Sequence, residues 1–129
     1  MSEVNRQNAG GSLKRRNRLL RRSQFSRAYE LGLKFPGKFM TLWLTRDPEA
    51  CLRLGVVASK RVGNATQRNR AKRRLRESFR VNRDAFSGPV DVVIVAHRAI
   101  LRAKWREIES ELLRLADTAG ILKREIPPR

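Results

Sequence analysis

The residues of this chain best suited to chemistry are its cations, and they are crowded into one segment. Ten of the 30 Lys and Arg residues lie in residues 60–83, where Glu77 is the only acid. Guanidinium and ammonium groups donate hydrogen bonds to phosphate oxygens, and the guanidinium fork also pairs with base edges. Asn69, between Arg68 and Arg70, adds an amide that can bond a base or a 2′-hydroxyl. This chemistry predicts binding to a polyanion.

The same segment has the periodicity of a helix. Ala71, Leu75 and Phe79 recur every four residues and therefore line one helix face, with Asn64 or Thr66 as the predicted N-cap. Cations cover most of the remaining circumference. A helix that is merely solvated normally interleaves acids with bases, so the one-sided charge predicts a nucleic-acid-binding face. Two cations that precede the helix extend this basic surface: Lys60 and Arg61.

Composition supports a polyanionic partner. The formal net charge is +18 over 129 residues, far beyond what solubility requires. Nucleic acid is the commonest neutraliser of such a charge, with an anionic membrane a distant second. No apolar run approaches the roughly 18 residues of a membrane span, and the N-terminus lacks the apolar region of a secretory signal. The lone Cys51 fits a reducing cytosol, so we expect a cytoplasmic protein without membrane association.

Catalytic side chains are scarce. His97 is the only histidine and follows an apolar run, a position more typical of a structural residue or a phosphate contact than of a catalyst. The 12 acids are scattered, with no metal-ligand spacing and no phosphate-loop motif. We therefore expect no catalytic residue and no metal site in the protein itself.

The pattern predicts one domain over residues 13–122, between a disordered tail at 1–12 and a frayed tail at 123–129. Hydrophobic periodicity and turn residues predict three helices and three strands. Phe35-Pro36-Gly37 reads as a turn. The predicted elements are a helix over 23–31, strands over 38–45 and 52–59, the basic helix over 66–82, a strand over 90–96 and a helix over 101–119.

This order, α-β-β-α-β-α, predicts an α+β sandwich with a small mixed sheet. The short gap between the first two strands indicates a hairpin, and the basic helix between the last two indicates a crossover to a parallel strand. The general rule makes that crossover right-handed. With so few strands, we expect helices on one sheet face and an open cleft on the other.

Aromatic residues are open to two interpretations. Four of them could either stack on unpaired bases or belong to the core: Phe25, Tyr29, Phe39 and Trp43. Two more, Phe79 and Trp105, are assigned to the core. Alternation along the first predicted strand puts Phe39, Thr41 and Trp43 on one face and Met40, Leu42 and Leu44 on the other.

Taken together, these motifs resemble the bacterial ribonuclease P protein component. The resemblance lies in residues 54–65 (LGVVASKRVGNA), in Arg68-Asn69-Arg70, in residues 72–76 (KRRLR), in residues 14–19 (KRRNRL) and in residues 91–96 (DVVIVA). It spans roughly residues 14–118. The flanked Arg-Asn-Arg core is a specific signature, whereas the bare tripeptide would mean little.

The resemblance implies a monomeric basic protein that pairs with one catalytic RNA and assists removal of the 5′ leader from precursor tRNA. It implies that Mg²⁺ is held mainly by the RNA, which performs the cleavage. It also implies a left-handed crossover, against the general rule. By position, the RNA side comprises Arg68, Asn69, Arg70, Lys72, Arg73 and Arg76; the leader cleft comprises Phe25, Tyr29, Met40 and Leu42; and a basic arm comprises Lys14, Arg15, Arg16 and Arg18.

Two departures from the family pattern accompany this resemblance. Leu42 stands near a strand position where the family has a polar aromatic, and His97 stands where arginine is common, which predicts a weaker or pH-dependent phosphate contact. Two other classes of function also explain the charge: a structural RNA-binding protein, such as a ribosomal one, and a DNA-binding protein that places the basic helix in a major groove.

Overall fold

The computed structural model describes Arg18 and residues 29–30, 32–45 and 52–123. In chain order its elements are β1 (Leu33–Pro36), β2 (Met40–Thr45), β3 (Arg53–Val57), α1 (Ala65–Val81), β4 (Asp91–Ala96) and α2 (Trp105–Thr118). Short 3₁₀ helices at Arg83–Ala85 and Arg98–Arg102 precede β4 and α2. The α+β class with a small mixed sheet is confirmed. The predicted first helix lies outside the described residues, except for Tyr29 and Glu30, which are helical.

The four strands form one mixed sheet in the order β1-β2-β4-β3. The pairs β1–β2 and β2–β4 are antiparallel, whereas β3–β4 is parallel with Arg53 opposite Asp91. The predicted parallel crossover through the basic helix is therefore confirmed. The predicted hairpin between 38–45 and 52–59 is wrong, because β4 lies between those two strands.

Strand β1 was not predicted, since Phe35-Pro36-Gly37 read as a turn. Phe35 and Pro36 instead pair with Leu42 and Thr41. Proline is tolerated there because β1 is a sheet edge, where a missing N–H breaks no ladder on its outer side. The turn lies at Gly37, whose N–H donates to the Met40 carbonyl at 2.8 Å.

One buried carboxylate fixes this turn. Glu111 of α2 is 7% exposed and accepts the backbone N–H groups of Lys38, Phe39 and Met40 at 2.9, 2.7 and 3.1 Å. A Cβ on Gly37 would lie 2.5 Å from Glu111 Oε1, so only glycine fits beside the carboxylate. The pairing of α2 with the β1–β2 turn therefore depends on one acid and one glycine.

Helices α1 and α2 both cover the same face of the sheet. Alternate strand residues point toward them, because successive side chains in a strand face opposite sides. The resulting core contains Met40, Leu42, Leu44, Leu54, Val92 and Ile94 from the strands, Ala71, Leu75 and Phe79 from α1, and Ile108, Leu112 and Leu115 from α2. The opposite face has a small separate cluster in which Val93 is buried among Trp43, Val57 and Val95. Helices α1 and α2 therefore agree with the expectation of helices on one face, whereas the helical Tyr29 lies against Trp43 on the opposite face.

Candidate nucleic-acid interface

Helix α1 begins at the first of the two predicted caps, Asn64. Asn64 Oδ1 accepts the Gln67 N–H at 2.9 Å, and the Gln67 side chain accepts the Asn64 N–H at 2.8 Å. This capping box satisfies two amides that the first turn would otherwise leave unpaired. The bounds Ala65–Val81 lie within one residue of the prediction, and Asn64 rather than Thr66 is the cap.

The buried stripe of α1 fixes which cations face outward. Ala71, Leu75, Ser78 and Phe79 are buried against the core, and the Ser78 hydroxyl donates to the Leu75 carbonyl at 2.9 Å. On the remaining circumference, Asn69, Arg70 and Arg73 are exposed, while Arg68, Lys72 and Arg76 are half-buried. The structure therefore brings all six predicted contacts onto one helix and leaves none fully buried.

Arg74 is the exception among the cations of α1. Its guanidinium donates to the carbonyls of Ile100 and Ala103 at 2.7 and 2.6 Å, which ties α1 to the 3₁₀ helix before α2. Burial, and secondarily the charge of Arg70, lowers the pKa of Arg74. Arg74 was not among the predicted RNA contacts, and its hydrogen bonds give it a structural role.

Two cations, Arg76 of the basic helix and Arg18 at the sheet edge, lie near each other. Arg18 forms a parallel β-bridge with Leu54 on the outer side of β3. Burial lowers the pKa of Arg76, and the nearby positive charge of Arg18 lowers it further. The two cations are therefore close enough to repel each other, a repulsion that a bound phosphate would relieve. The other predicted arm residues, Lys14, Arg15 and Arg16, lie outside the described residues.

Lys60 and Arg61 lie in the loop that joins β3 to α1, and both are exposed. Val62, 1% exposed, anchors this loop in the core, and its N–H donates to the Ser59 carbonyl at 3.0 Å. The loop therefore holds both exposed cations just before α1, and their contact with RNA stays a prediction.

The open sheet face carries aromatic rings. Tyr29, 40% exposed, meets Trp43 edge to face with ring centroids 5.2 Å apart. The Lys34 ammonium lies 5.6 Å from the Trp43 ring centroid. Burial raises the pKa of Tyr29 from its ordinary value, which already lies well above neutral pH, so its hydroxyl can donate a hydrogen bond. An aromatic pair with an adjacent cation is a suitable platform for an unpaired base.

The structure corrects two residues of the predicted cleft. Met40 and Leu42 are 0% exposed and belong to the core beneath the helices. Thr41 and Trp43 occupy the open face instead, because a shift of one residue moves a strand side chain to the other face. The alternation of the sequence already separated these two sets. The aromatic Trp43 was the signal for the open face, since Met40, Leu42 and Leu44 form an ordinary core pattern. Phe25 lies outside the described residues.

His97 lies where β4 ends, half-buried at the rim of the open face. Its Nδ1 is 3.2 Å from the Lys38 carbonyl, which can only accept a hydrogen bond, so Nδ1 carries a proton. Its Nε2 is 2.8 Å from the Thr41 hydroxyl. These contacts give His97 a structural role at the strand end. Its contact with a phosphate stays a prediction.

Among the described residues, no group of three or more His, Cys, Asp or Glu side chains is placed to hold a metal ion. Within the same part of the chain, the helices are too short or too polar to cross a bilayer.

Comparison with known proteins agrees with this geometry. A family model described as Ribonuclease P matches residues 13–120. The ribonuclease P protein component of Lachnoclostridium phytofermentans is 34% identical over 106 residues, covering 82% of this chain and 91% of the relative. That of Desulforapulum autotrophicum is 36% identical over 104 residues, covering 81% and 89%.

Solved structures show the same fold. The RNase P protein of Staphylococcus aureus at 2.0 Å superposes with a TM-score of 0.73 at 25% identity, covering 83% of this chain and 98% of that one. The protein of Thermotoga maritima gives a TM-score of 0.71 at 26% identity, covering 78% and 96%. A crossover of opposite hand would not superpose over this much of the chain. The right-handed expectation from the general rule is therefore wrong, and the left-handed crossover implied by the resemblance holds.

Proposed function

The chain belongs to the ribonuclease P protein family, and we propose that it is the protein subunit of a ribonucleoprotein that cleaves the 5′ leader from precursor tRNA. In this proposal the catalytic RNA binds the cations of α1 and its preceding loop. The leader binds the open sheet face. The RNA performs the cleavage with Mg²⁺ that it holds itself, and the protein contributes no catalytic residue.

The observation that carries the proposal is the presence, on one small scaffold, of two surfaces whose chemistry suits nucleic acid. One is the basic helix, whose charge is almost uncompensated: Glu77, its only acid, pairs with Arg80 at 2.7 Å. The other is the aromatic platform of Tyr29 and Trp43. The sheet lies between them, because α1 packs on one face and Trp43 lies on the other. Arg18 bridges Leu54 on the edge strand β3, and its charge acts on Arg76 of the basic helix. A protein with both surfaces can hold a structured RNA and an unpaired strand together.

The physical role follows from charge. Catalytic RNA and precursor tRNA are both polyanions and repel each other, and divalent ions ordinarily screen this repulsion. Cations fixed on a folded helix neutralise phosphates without being recruited from solution, and each one releases counterions from the RNA. The protein therefore lowers the Mg²⁺ concentration needed for assembly and increases affinity for substrates that carry a leader.

Binding of the leader combines stacking with charge. A base that stacks on Trp43 gains roughly 1–3 kcal/mol and needs no particular sequence. Lys34, beside the same ring, is placed to neutralise the adjoining phosphate. We infer from this arrangement that the protein favours single-stranded leaders of many sequences. The complex contains one protein and one RNA in the bacterial cytoplasm.

The test is cleavage of a precursor tRNA by a bacterial ribonuclease P RNA at low Mg²⁺, with and without the protein. Correct 5′ cleavage that depends on the protein supports the proposal. A folded protein that binds RNA but restores no cleavage would contradict it and indicate a structural RNA-binding role. Preference for duplex DNA over structured RNA at equal salt would indicate DNA binding instead.

Leader binding has its own salt test. The logarithm of leader affinity should fall with the logarithm of salt concentration, with a slope of about −0.7 for each phosphate neutralised on a single strand. An interaction that does not respond to salt would contradict the electrostatic role. A substrate lacking the leader serves as the matched control, because it retains every interaction except those with the open face.

A further inference from the structure

A second basic concavity lies at one end of the sheet, beyond the Tyr29–Trp43 platform. It has a volume of about 590 Å³ and lies between the β1–β2 turn, the 3₁₀ helix Arg98–Arg102 and the first turn of α2. Its lining includes Lys38, Phe39, Arg98, Arg102 and Glu107. We call it the end groove. None of its cations belongs to the basic helix.

The end groove has a net positive charge. Lys38, Arg98 and Arg102 are exposed, and no ion pair of theirs occurs within the described part of the chain. Glu107 is the only acid among the described lining residues. Its Oε1 accepts the Lys104 N–H at 2.8 Å as part of the first turn of α2. Because that carboxylate is engaged with its own helix, it compensates the three cations only in part.

An exposed aromatic residue adjoins the groove. Trp105 was expected in the core but is 39% exposed, because it opens α2 one turn before the first buried residue, Ile108. It lines a neighbouring cavity of about 580 Å³ together with Glu107, which both cavities share. An indole beside several cations is suited to stacking on an unpaired base.

Hydrogen bonds from two buried or half-buried side chains fix the backbone around the end groove. The Arg74 guanidinium donates to the Ile100 and Ala103 carbonyls, which fixes the backbone between and after Arg98 and Arg102. Glu111 fixes the turn that presents Lys38. Because the backbone is already fixed, binding a ligand here orders only the side chains of these cations and not the chain that carries them, which favours a binding role.

The groove is continuous with the open sheet face through His97. This residue contacts Thr41 on the open face and the Lys38 carbonyl at the groove. Thr41 and Lys38 are three positions apart in the chain, at most roughly 10 Å at about 3.3 Å per residue. A strand that leaves the Trp43 platform at this end of β2 therefore meets the groove next.

We propose that the end groove binds the continuation of the single-stranded leader beyond the open face, with Arg98 and Arg102 on its phosphates and Trp105 stacked on a base. The proposal rests on the proposed function, since it extends the same substrate path. It predicts that these residues matter only for leaders long enough to reach the groove.

The experiment measures the affinity of the assembled holoenzyme for precursor tRNAs with leaders of ~4 and ~12 nucleotides, lengths within the range that single-strand sites occupy. Arg98→Ala/Arg102→Ala should weaken binding of the long-leader substrate about tenfold and leave the short-leader substrate within about twofold. The salt slope for the long leader should become shallower by about 0.7 for each phosphate that the variant no longer neutralises.

Two control variants define the effect. Lys123→Ala removes an exposed cation at the far end of α2, about 20 Å away along a 14-residue helix, and should change neither affinity. Trp43→Ala should weaken binding of both leaders, because its platform lies before the groove on the proposed path. Melting curves check that each variant is folded.

A second readout uses the protein's own fluorescence. The chain has two tryptophans, so Trp43→Phe leaves Trp105 as the sole indole and keeps an aromatic ring on the platform. In the holoenzyme, the long-leader substrate should change the Trp105 emission and the short-leader substrate should not.

Three outcomes would overturn the proposal. Equal losses of affinity for short and long leaders would show that the groove binds the catalytic RNA or supports the fold. Unchanged affinity for both leaders would show that it binds no RNA. A wild-type holoenzyme whose affinity is independent of the leader would overturn both this inference and leader binding by the open face, whereas the first two outcomes leave the proposed function intact.

Discussion

Helices α1 and α2 pack on the same sheet face yet use their charged residues in opposite ways. In α2, Glu111 accepts three backbone amides, Glu107 caps its own first turn and Glu109 accepts from Asn82 at 2.9 Å. In α1, Arg74 and the Arg80–Glu77 pair hold internal partners, while Asn69, Arg70 and Arg73 face solvent. Two helices of similar burial therefore differ in whether their charges serve the fold or remain available for a ligand.

The comparison gives a criterion for a binding surface. A buried stripe alone does not distinguish these helices, since each contributes several residues to the core. The charged side chains distinguish them, because a charge satisfied inside the protein stabilises the fold and an unsatisfied one needs an external counterion. Substitutions of these three acids in α2 should therefore affect stability, and most substitutions of the cations in α1 should affect RNA binding.

The largest expected effect lies in α2. Glu111→Ala leaves three backbone N–H groups of the β1–β2 turn without their acceptor in a buried site, and should lower the free energy of unfolding by about 3 kcal/mol. Urea denaturation measures this decrease. Glu111→Gln keeps one oxygen acceptor and should be destabilised less. If Glu111→Ala were as stable as wild type, this carboxylate would not support the fold.

The next effect lies in α1. Arg68→Ala/Arg70→Ala should weaken assembly with ribonuclease P RNA roughly thirtyfold, equivalent to about 2 kcal/mol, because both cations lie outside the buried stripe. A salt titration of RNA affinity should show a shallower slope than wild type. The double variant should melt like wild type. Its unfolding would show that these residues are structural, contrary to their assignment.

Arg74→Ala is the matched comparison on the same helix. It should lower the free energy of unfolding by about 1.5 kcal/mol, because two backbone carbonyls lose a charged donor. At a temperature where it is folded, its RNA affinity should change less than that of the double variant. A larger loss of RNA affinity in Arg74→Ala than in the double variant would contradict the assignment of Arg74 to the fold and of Arg68 and Arg70 to RNA binding.

A similar effect is expected at the open face. Trp43→Ala should weaken binding of leader-bearing substrate by about 1.5 kcal/mol because the base can no longer stack, with no change for leaderless substrate. Leu42→Ala, one residue away on the core face, should destabilise the fold by about 3 kcal/mol without a leader-specific effect. Equal leader-specific effects from both variants would contradict the assignment of Thr41 and Trp43 to this face.

The smallest effect concerns the start of α1. Asn64→Ala removes the side-chain acceptor of the Gln67 amide and should lower the free energy of unfolding by about 1 kcal/mol. Thermal melting measures the change, and Asn64→Asp, which keeps the acceptor, should be nearly as stable as wild type. A wild-type melting curve for Asn64→Ala would show that the capping box adds nothing to the stability of α1.

Features set by neighbouring residues could be predicted. Helix α1 and β4 lie within one residue of their predicted bounds, because the four-residue periodicity and the apolar run of residues 92–96 are local signals. Helix α2 begins at Trp105 rather than near residue 101, since residues 98–102 form a 3₁₀ helix. That difference changes Trp105 from an expected core residue to an exposed one.

Features that depend on residues distant in the sequence could not be predicted. Strand β1 looked like a turn, because the edge position that tolerates Pro36 exists only once β2 pairs with it. The insertion of β4 between β2 and β3 leaves no local trace. Alternation separated Met40 and Leu42 from Thr41 and Trp43, but it gave no information about which set the helices cover.

By itself, the sequence determined the excess of positive charge, the apolar stripe of the basic helix and the family, because these depend on composition and short spacings. Only the tertiary structure decided which cations keep their charge for a ligand. Arg74 and Arg73 are adjacent and alike in the sequence, yet one is bound to the carbonyls of a neighbouring turn and the other faces solvent. The physical reason is that the availability of a charge depends on the groups that folding brings within hydrogen-bonding distance of it.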